Sequence, residues 1–171
     1  LAKGRSVGEM WLAEKVQFTK HEQTTAQSPR GRGRAAYRAF IREEADIVFA
    51  NEAEICALYE TEDFDTAAEA VRAEVAIAAL TRSERGSRII AGAETHEIRA
   101  EPTKLVDSTG AGDAYAAGFM AALTRGLPLA ECGRWGSIAA AEVISHFGAR
   151  PQADLAALVS SRPGGVAAAL G

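Results

Sequence analysis

From about residue 45 onward, short apolar runs alternate with segments whose hydrophobic residues recur at helical spacing. The runs Ile47–Ala50 and Val75–Leu80 have the length and continuity of buried parallel strands. This alternation of strand and helix is typical of an α/β domain with parallel strands. The same pattern predicts helices over Glu52–Glu60 and Asp65–Ala73, the second capped by Asp65 or Thr66, and two short strands, Arg88–Ala91 and Thr95–Arg99, around Gly92.

The part of the chain after residue 110 is rich in alanine and has a helical period throughout. The many alanines and Gly118 predict that these helices pack closely on a sheet or on each other. The predicted helices are Gly112–Arg125 with Gly126 past its end, Leu129–Phe147 ended by Gly148, and Gln152–Ser160 after Pro151.

Residues 1–40 show no clear helix or strand period. Gln17–Gly33 is polar, and the arginines Arg30, Arg32 and Arg34 alternate with glycines. This basic cluster is either a solvated loop or a nucleic-acid surface, and the lack of interleaved aromatic residues favours the loop. We therefore predict an irregular or divergent segment over 1–40 and a separate domain part over 41–171.

Composition narrows the class of protein. With 171 residues and 47% hydrophobic content the chain can form one domain with a core, and its net charge of −4 implies no general attraction to nucleic acid. No apolar run is long enough for a membrane span, and the start lacks a signal peptide. Cys56 and Cys132 fit a reducing compartment, so we expect a cytoplasmic protein with no membrane partner. The chain begins with Leu, and we expect a fragment or a processed product.

The segment Asp107–Asp113 (DSTGAGD) carries the strongest chemical signal. Small residues at a helix entrance leave N–H groups uncovered, and with the helix dipole they form an anion site. A carboxylate beside an anion site is not expected if the site only binds an anion. It is explained if the carboxylate accepts a proton from a nucleophile that attacks the bound anion. The segment therefore suggests phosphoryl transfer with Asp113 as base. The alternative is a tight turn in which Asp113 only caps the helix.

Two further segments follow predicted strands, at the sheet edge where ligands gather in α/β folds. Asn51 and Glu54 could hold a hydrated Mg²⁺ near phosphates, or they could be a cap and a surface glutamate. The segment Thr81–Gly86 could contact a nucleotide, or it could be a charged hairpin turn. The three histidines share no metal-ligand spacing, and we expect structural roles for them.

Together these segments resemble the PfkB, or ribokinase-like, family of carbohydrate and nucleoside kinases. The signature around Asp107–Asp113, the Asn51–Glu54 element (Asn-x-x-Glu), the Thr81–Gly86 turn and the Gly136–Pro151 helix and loop occur in the family's order. The sequence of these motifs is most similar to bacterial adenosine-kinase-like members, and the resemblance covers about residues 45–160. The resemblance implies a ribokinase-like three-layer sandwich, of which this chain would hold only the C-terminal part of a mostly parallel sheet flanked by helices.

The resemblance also implies roles, cofactors and partners. Asp113 would accept the proton of the substrate hydroxyl, and the cofactors would be ATP and Mg²⁺, with a monovalent cation near Asp107 and Thr109 in some members. The acceptor would be a small molecule, adenosine as first guess and a sugar as second, and a homodimer of the longer protein is an open alternative. The remaining implied site residues are Gly110, Ala111 and Gly112 for the γ-phosphoryl anion hole, Asn51 and Glu54 for Mg²⁺ and phosphate through water, Asp107 for the loop and its cation, Thr81, Glu84 and Gly86 for ATP, and Ser137 facing the adenine.

This sequence departs from the family pattern at several positions. Ser83 stands where many members have glycine, Ser137 where many have asparagine, and Ser108 replaces the usual threonine. Family members are about twice as long, and the half that precedes these motifs carries the substrate-binding glycines and a small β-sheet lid. The expected activity is thus ATP-dependent phosphorylation of a hydroxymethyl group, and the alternative is a nucleotide-binding remnant or an inactive fragment.

Overall fold

The computed structural model describes residues 12–13 and 30–162 of the chain. The chain divides into two compact units. The first consists of Leu1–Ser83 and Ser87–Glu97, and the second of Glu84–Gly86 and Ile98–Gly171.

The first unit is built on a sheet with strand order β1-β2-β3-β4-β5. β2 is parallel to β1 and β3, whereas β4 is antiparallel to β3. A two-residue turn at Gly92 joins β4 to β5. The apolar runs are therefore parallel strands, as predicted, within a mixed sheet. The strands are β1 (Leu12–Ala13), β2 (Ile47–Asn51), β3 (Ile77–Thr81), β4 (Ser87–Ala91) and β5 (Glu94–Ile98).

Among its described residues this unit has the helices α1 (Arg30–Glu43), α2 (Glu52–Tyr59) and α3 (Phe64–Arg72). The apolar faces of these helices form one core with residues of the strands. Val48 of β2, Leu58 of α2 and Val71 of α3 are fully buried in it. The cap of α3 differs from the prediction, because Asp63 rather than Asp65 or Thr66 accepts the Thr66 N–H, at 2.7 Å.

Helix α1 corrects the expectation that residues 1–40 are irregular, as far as the structure describes them. Tyr37 and Ile41 lie four positions apart, and both pack on the core of the first unit. Arg34 and Arg38 form ion pairs with Glu60 and Glu74. The arginines are thus part of a packed helix rather than a solvated loop. Glycines with weak helix propensity concealed a helix that tertiary packing stabilises.

The second unit contains α4 (Ala111–Leu123), α5 (Leu129–Val143) and α6 (Leu155–Ser161). α4 and α5 pack closely, as the alanines and Gly118 predicted. A Cβ on Gly118 would lie 2.6 Å from the Trp135 carbonyl oxygen, and one on Gly136 would lie 2.8 Å from that of Tyr115. Each helix therefore has a glycine where its partner's backbone approaches. Among the described residues, no helix is long and apolar enough to cross a membrane.

The helical period predicted that α5 ends at Phe147, but the helix ends at Val143. In a continuing helix the Ile144 carbonyl would accept the Gly148 N–H. Here the Ile144 carbonyl accepts the N–H groups of Val106 and Asp107, at 2.8 and 3.3 Å, and the Gly148 N–H donates to Asp107 Oδ2 at 3.2 Å. The first helical bond is lost earlier, because the Ala141 carbonyl accepts the Thr103 hydroxyl at 3.0 Å and the Ser145 N–H donates to the Glu142 carbonyl at 3.1 Å. Bonds to residues 103–107 therefore replace the helical bonds after Val143.

Helix α6 also begins later than predicted. Asp154 is its N-cap, and the Asp154 carboxylate accepts the N–H groups of Ala156 and Ala157 at 2.9 and 3.2 Å. Gln152 and Ala153, which the period had placed in the helix, instead donate their N–H groups to Glu142. The segment between α5 and α6 is thus longer than predicted and is held by side chains at both ends.

Two glycine-to-alanine changes test the packing of the helices. Gly118→Ala places a methyl group against the α5 backbone, so we expect the free energy of unfolding to fall by about 1–3 kcal/mol. Gly33→Ala, in α1, meets no atom within 4 Å, and we expect stabilisation of about 0.5–1 kcal/mol because alanine favours the helix. Urea unfolding measures both, and equal shifts in the two variants would contradict the packing argument.

Candidate functional site

The loop before α4 has the geometry of an open helix N-terminus. Gly110 is the N-cap with φ 80° and ψ 1°, a left-handed conformation that favours glycine, and no side chain caps the helix. A Cβ on Gly110 would also lie 2.6 Å from that of Ala149, so only glycine fits there. The first turn of a helix leaves N–H groups without partners inside the helix. At α4 the Ala111 N–H donates to the Ser108 carbonyl at 3.2 Å, and no side chain caps the other N–H groups at the positive end of the helix dipole.

Gly112 and Asp113 occupy the first turn of α4, and both are exposed. A Cβ added to Gly112 would meet no atom within 4 Å, so space lies next to the backbone at this point. The structure therefore combines an uncapped helix start, free space beside it and a carboxylate in the first turn. This combination can bind an anion and hold a proton acceptor close to it.

Asp107 holds the shape of the loop. Asp107 Oδ1 accepts the Thr109 N–H at 2.9 Å, and Oδ2 accepts the Gly148 N–H at 3.2 Å. Hydrogen bonds from the Thr109 side chain, the Thr109 N–H and the Gly148 N–H lower the pKa of the Asp107 carboxyl. The carboxylate thus ties the loop before α4 to the segment after α5.

In the first unit, Asn51 and Thr81 lie side by side. They are the last residues of the parallel strands β2 and β3, and the strand register pairs them directly. Asn51 is also the N-cap of α2 and forms a capping box with Glu54, with Glu54 N to Asn51 Oδ1 at 2.9 Å and Asn51 N to Glu54 Oε2 at 2.8 Å. Both hydrogen bonds of the capping interpretation are therefore present. Glu54 Oε1 and Asn51 Nδ2 take no part in the capping box.

A groove of about 750 Å³ opens beside these residues, and Arg82, which the sequence analysis did not single out, lines it. The Arg82 guanidinium lies 4.1 Å from the centre of the Phe64 ring and 3.8 Å from Glu52 Oε1. Its Nε is buried and has no hydrogen-bond partner among the described residues. The position of Arg82 directly after a buried strand was the available signal. It adds a positive charge to the carboxyl edge of the sheet.

The remaining predicted residues have structural surroundings of their own. Glu84 is exposed in a 3₁₀ turn, Ser83–Arg85, and Gly86 has φ 86° with its Cα against the backbone of residues 98–100. Ser137 Oγ accepts the Glu101 N–H at 3.0 Å and donates to the Arg99 carbonyl at 3.2 Å. Ser137 therefore fixes the backbone after β5.

Comparison with known proteins identifies the family. A profile described as pfkB family carbohydrate kinase matches residues 11–155. The chain belongs to the PfkB family. This match begins well before residue 45, where the resemblance noted in the sequence begins. The division of the chain into residues 1–40 and 41–171 stays a prediction.

Several PfkB-type relatives are similar in sequence or structure. A probable sugar kinase from Rhizobium etli superposes with a TM-score of 0.74 at 39% identity, over 76% of this chain and 40% of its own. An adenosine kinase from Sinorhizobium meliloti superposes with a TM-score of 0.71 at 46% identity, over 74% and 39%. A cytidine kinase from Thermococcus kodakarensis is 38% identical over 117 residues, 65% of this chain and 42% of that protein. The predicted ribokinase-like α/β fold is confirmed, and the chain spans about two fifths of these relatives.

Each unit of this PfkB-family chain thus gathers part of the predicted site. The first brings Asn51, Glu54 and Thr81 to one sheet edge, and the second joins Asp107 to the Gly110–Asp113 loop.

Both cysteines are free, and burial raises the pKa of the Cys132 thiol to about 11. Cys132 is therefore a buried core residue, as expected.

The bonds to Asp107 predict a pH dependence of stability. The pKa of Asp107 is lower in the folded than in the unfolded chain, so its carboxylate stabilises the fold above about pH 4, and this contribution is lost as the pH falls through the folded pKa. Asp107→Asn should lower the unfolding midpoint near pH 7, and the gap to wild type should narrow toward pH 3. Urea unfolding across this range measures it, and a gap independent of pH would contradict the assignment.

Ser83 gives a second test, because the family resemblance expects glycine at this position. Ser83 has φ 54°, a conformation that is strained for a residue with a Cβ. Ser83→Gly should raise the free energy of unfolding by about 0.5–1 kcal/mol. Ser160→Gly, in helix α6, is the control and should lower it by about 0.5 kcal/mol. Destabilisation by both variants would show that Ser83 is not strained.

Proposed function

We propose that this chain supplies the phosphoryl-transfer part of an ATP-dependent kinase whose acceptor is a hydroxymethyl group of a nucleoside or a sugar. The observation that carries the proposal is the start of α4. A left-handed glycine cap, open space at Gly112 and an exposed carboxylate at Asp113 occur within one turn of a 13-residue helix. Phosphoryl transfer needs positioning and charge stabilisation more than covalent chemistry, and this arrangement offers both.

In the proposed reaction, Asp113 accepts the proton of the acceptor hydroxyl as its oxygen attacks the γ-phosphorus. The N–H groups of Gly110, Ala111 and Gly112 donate hydrogen bonds to the oxygens of the transferring group, where negative charge accumulates. The bond from phosphorus to the β-γ bridging oxygen breaks, and ADP leaves. Gly112 matters because a side chain there would enter the open space beside the helix start, where the phosphoryl group would lie.

The residues on the sheet edge of the first unit fit the expected Mg²⁺. Mg²⁺ usually keeps several waters and is held by one or two carboxylates together with substrate phosphates. Among the described residues, no group of three or more His, Cys, Asp or Glu side chains could hold a metal ion by itself. Asn51 and Glu54 would therefore act through water, and the bound ion would neutralise charge on the phosphates.

The nucleotide would be bordered by Thr81, Glu84 and Gly86, with Ser137 toward the adenine. Support for these roles is the resemblance and, for Thr81, its position beside Asn51 at the carboxyl ends of two parallel strands. Asp107 carries unused lone pairs on both carboxylate oxygens, so it could also face a monovalent cation while it holds the loop. A cytoplasmic location fits the two free cysteines.

Adenosine is the first candidate acceptor, because the adenosine kinase of S. meliloti is 46% identical to this chain. Cytidine and sugars follow, since a cytidine kinase and a probable sugar kinase are similar at 38% and 39% identity. The competing proposal is a nucleotide-binding module without transfer activity. It is favoured by the capping box of Asn51 and Glu54, which accounts for both residues without a metal ion.

The decisive experiment combines calorimetry with Mg²⁺ and ATP and a phosphotransfer assay on adenosine, cytidine, ribose and fructose. We expect Asp113→Asn to retain ATP binding and to lose about 10²–10⁴-fold in transfer rate, because the proton acceptor is gone. Transfer near the wild-type rate would remove Asp113 from the role of base. Binding of ATP by the wild type without transfer to any acceptor would favour the non-catalytic module, and absence of binding would overturn both proposals.

The anion hole has its own matched pair of variants. Gly112→Ala adds a methyl group in open space, so the stability should hold while the methyl group obstructs the phosphates and weakens ATP binding about tenfold or more. Gly33→Ala also adds its methyl group in open space but lies in α1, and ATP binding should not change. Unaltered binding in Gly112→Ala would exclude this helix start from the phosphate site.

A further inference from the structure

Glu142 is a buried carboxylate of α5 that no role above uses. Its side chain is only 8% exposed, and the atom Oε2 is buried without a hydrogen-bond partner among the described residues. Oε1 is crowded, because it accepts the N–H groups of Gln152 and Ala153, both at 2.9 Å, and lies 3.3 Å from His146 Nε2. A buried carboxylate is costly to keep, so these contacts point to a specific task.

The contacts of Glu142 all hold one segment, residues 144–153, which connects α5 to α6. The far part of this segment is bonded to Glu142 through Gln152 and Ala153, and its near part is bonded to the 106–107 segment through Ile144 and Gly148. Between these anchors, Ala149 lies directly against Gly110. The 144–153 segment is thus the support on which the loop before α4 rests.

We propose that Glu142 is a positioning residue: it holds the 144–153 segment against Gly110 and Asp107 and so keeps the anion loop before α4 in its open shape. Glu142 does not touch the loop itself and acts through the segment. The use of this loop as a phosphate site rests on the proposed function, whereas the mechanical link from Glu142 to the loop does not.

The charge of Glu142 is part of this link. Burial acts most strongly and by itself would raise the pKa of Glu142, but the N–H groups of Ala153 and Gln152 and the His146 ring together lower it. The side chain is therefore an anion at neutral pH, and bonds from N–H groups to an anion are stronger than bonds to a neutral amide. A neutral replacement should hold the segment more weakly.

The test compares Glu142→Ala and Glu142→Gln with Glu131→Ala. Glu131 is the matched control, because it lies on the same helix and is mostly buried, but its partner is Arg134, at 2.9 Å. Hydrogen exchange is followed by mass spectrometry at residues 110–114, where the N–H groups of Ala111 and Ala114 donate to the Ser108 and Gly110 carbonyls, and at residues 148–153, with the interior of α4 as internal reference. Binding of Mg²⁺ and ADP is measured by calorimetry.

We expect Glu142→Ala to speed exchange about 10–100-fold in both segments, while the interior of α4 is unchanged. Glu142→Gln keeps an acceptor oxygen without the charge and should show a smaller increase, and Glu131→Ala should show none. If Glu142→Ala fails to fold, the smaller effect of Glu142→Gln carries the test. ADP binding should weaken in the same order as exchange speeds up.

The proposal is overturned if exchange at 110–114 in the Glu142 variants matches wild type, or if it rises equally throughout α4 and α5, since either result would mean that Glu142 only stabilises the helices. Failure of the proposed function gives a different result. In that case the wild type does not bind ADP, yet the exchange pattern still follows Glu142.

Discussion

The second unit depends on two backbone groups that do not bond each other. The Ile144 carbonyl and the Gly148 N–H would close one more turn of α5, but both bond to residues 106–107 instead. This exchange keeps the number of satisfied polar groups while it brings two distant parts of the chain together. Without it residues 106–107 would lose their hydrogen bonds to the segment that follows α5.

Close approach of backbone segments explains most of the glycines discussed in this unit. Gly110 must take a left-handed conformation and leave room for Ala149, and Gly118 and Gly136 leave room for the facing helix backbone. Gly112 is different, because no protein atom occupies the space of its absent side chain. Three of these glycines are thus explained by packing within the chain, whereas no packing contact explains Gly112.

Sequence periodicity predicted most of the fold, since β2, β3, α2 and α4 each have an apolar pattern that packing and propensity both favour. It missed α1, because glycines weaken that helix and it is stabilised by the packing of Tyr37 and Ile41 and by the ion pairs of Arg34 and Arg38. It overextended α5, because a hydrophobic period cannot show that a distant segment competes for the last carbonyl. The loop at Gly110–Asp113 and the capping pair Asn51 and Glu54 were predictable from local chemistry. Arg82 and Glu142 were not, since their importance comes from contacts that only the fold creates.

The capping box at the start of α2 has an evolutionary consequence. Asn51 and Glu54 each satisfy a backbone N–H of the other, and loss of such a cap costs about 1 kcal/mol. Selection for a folded chain alone would therefore preserve this pair in a descendant that no longer transfers phosphate. The Asn-x-x-Glu element could therefore be retained after phosphoryl transfer is lost, whereas an alanine at position 112 would not disturb the fold. In a set of related sequences, drift at Gly112 would be the earlier sign of lost chemistry.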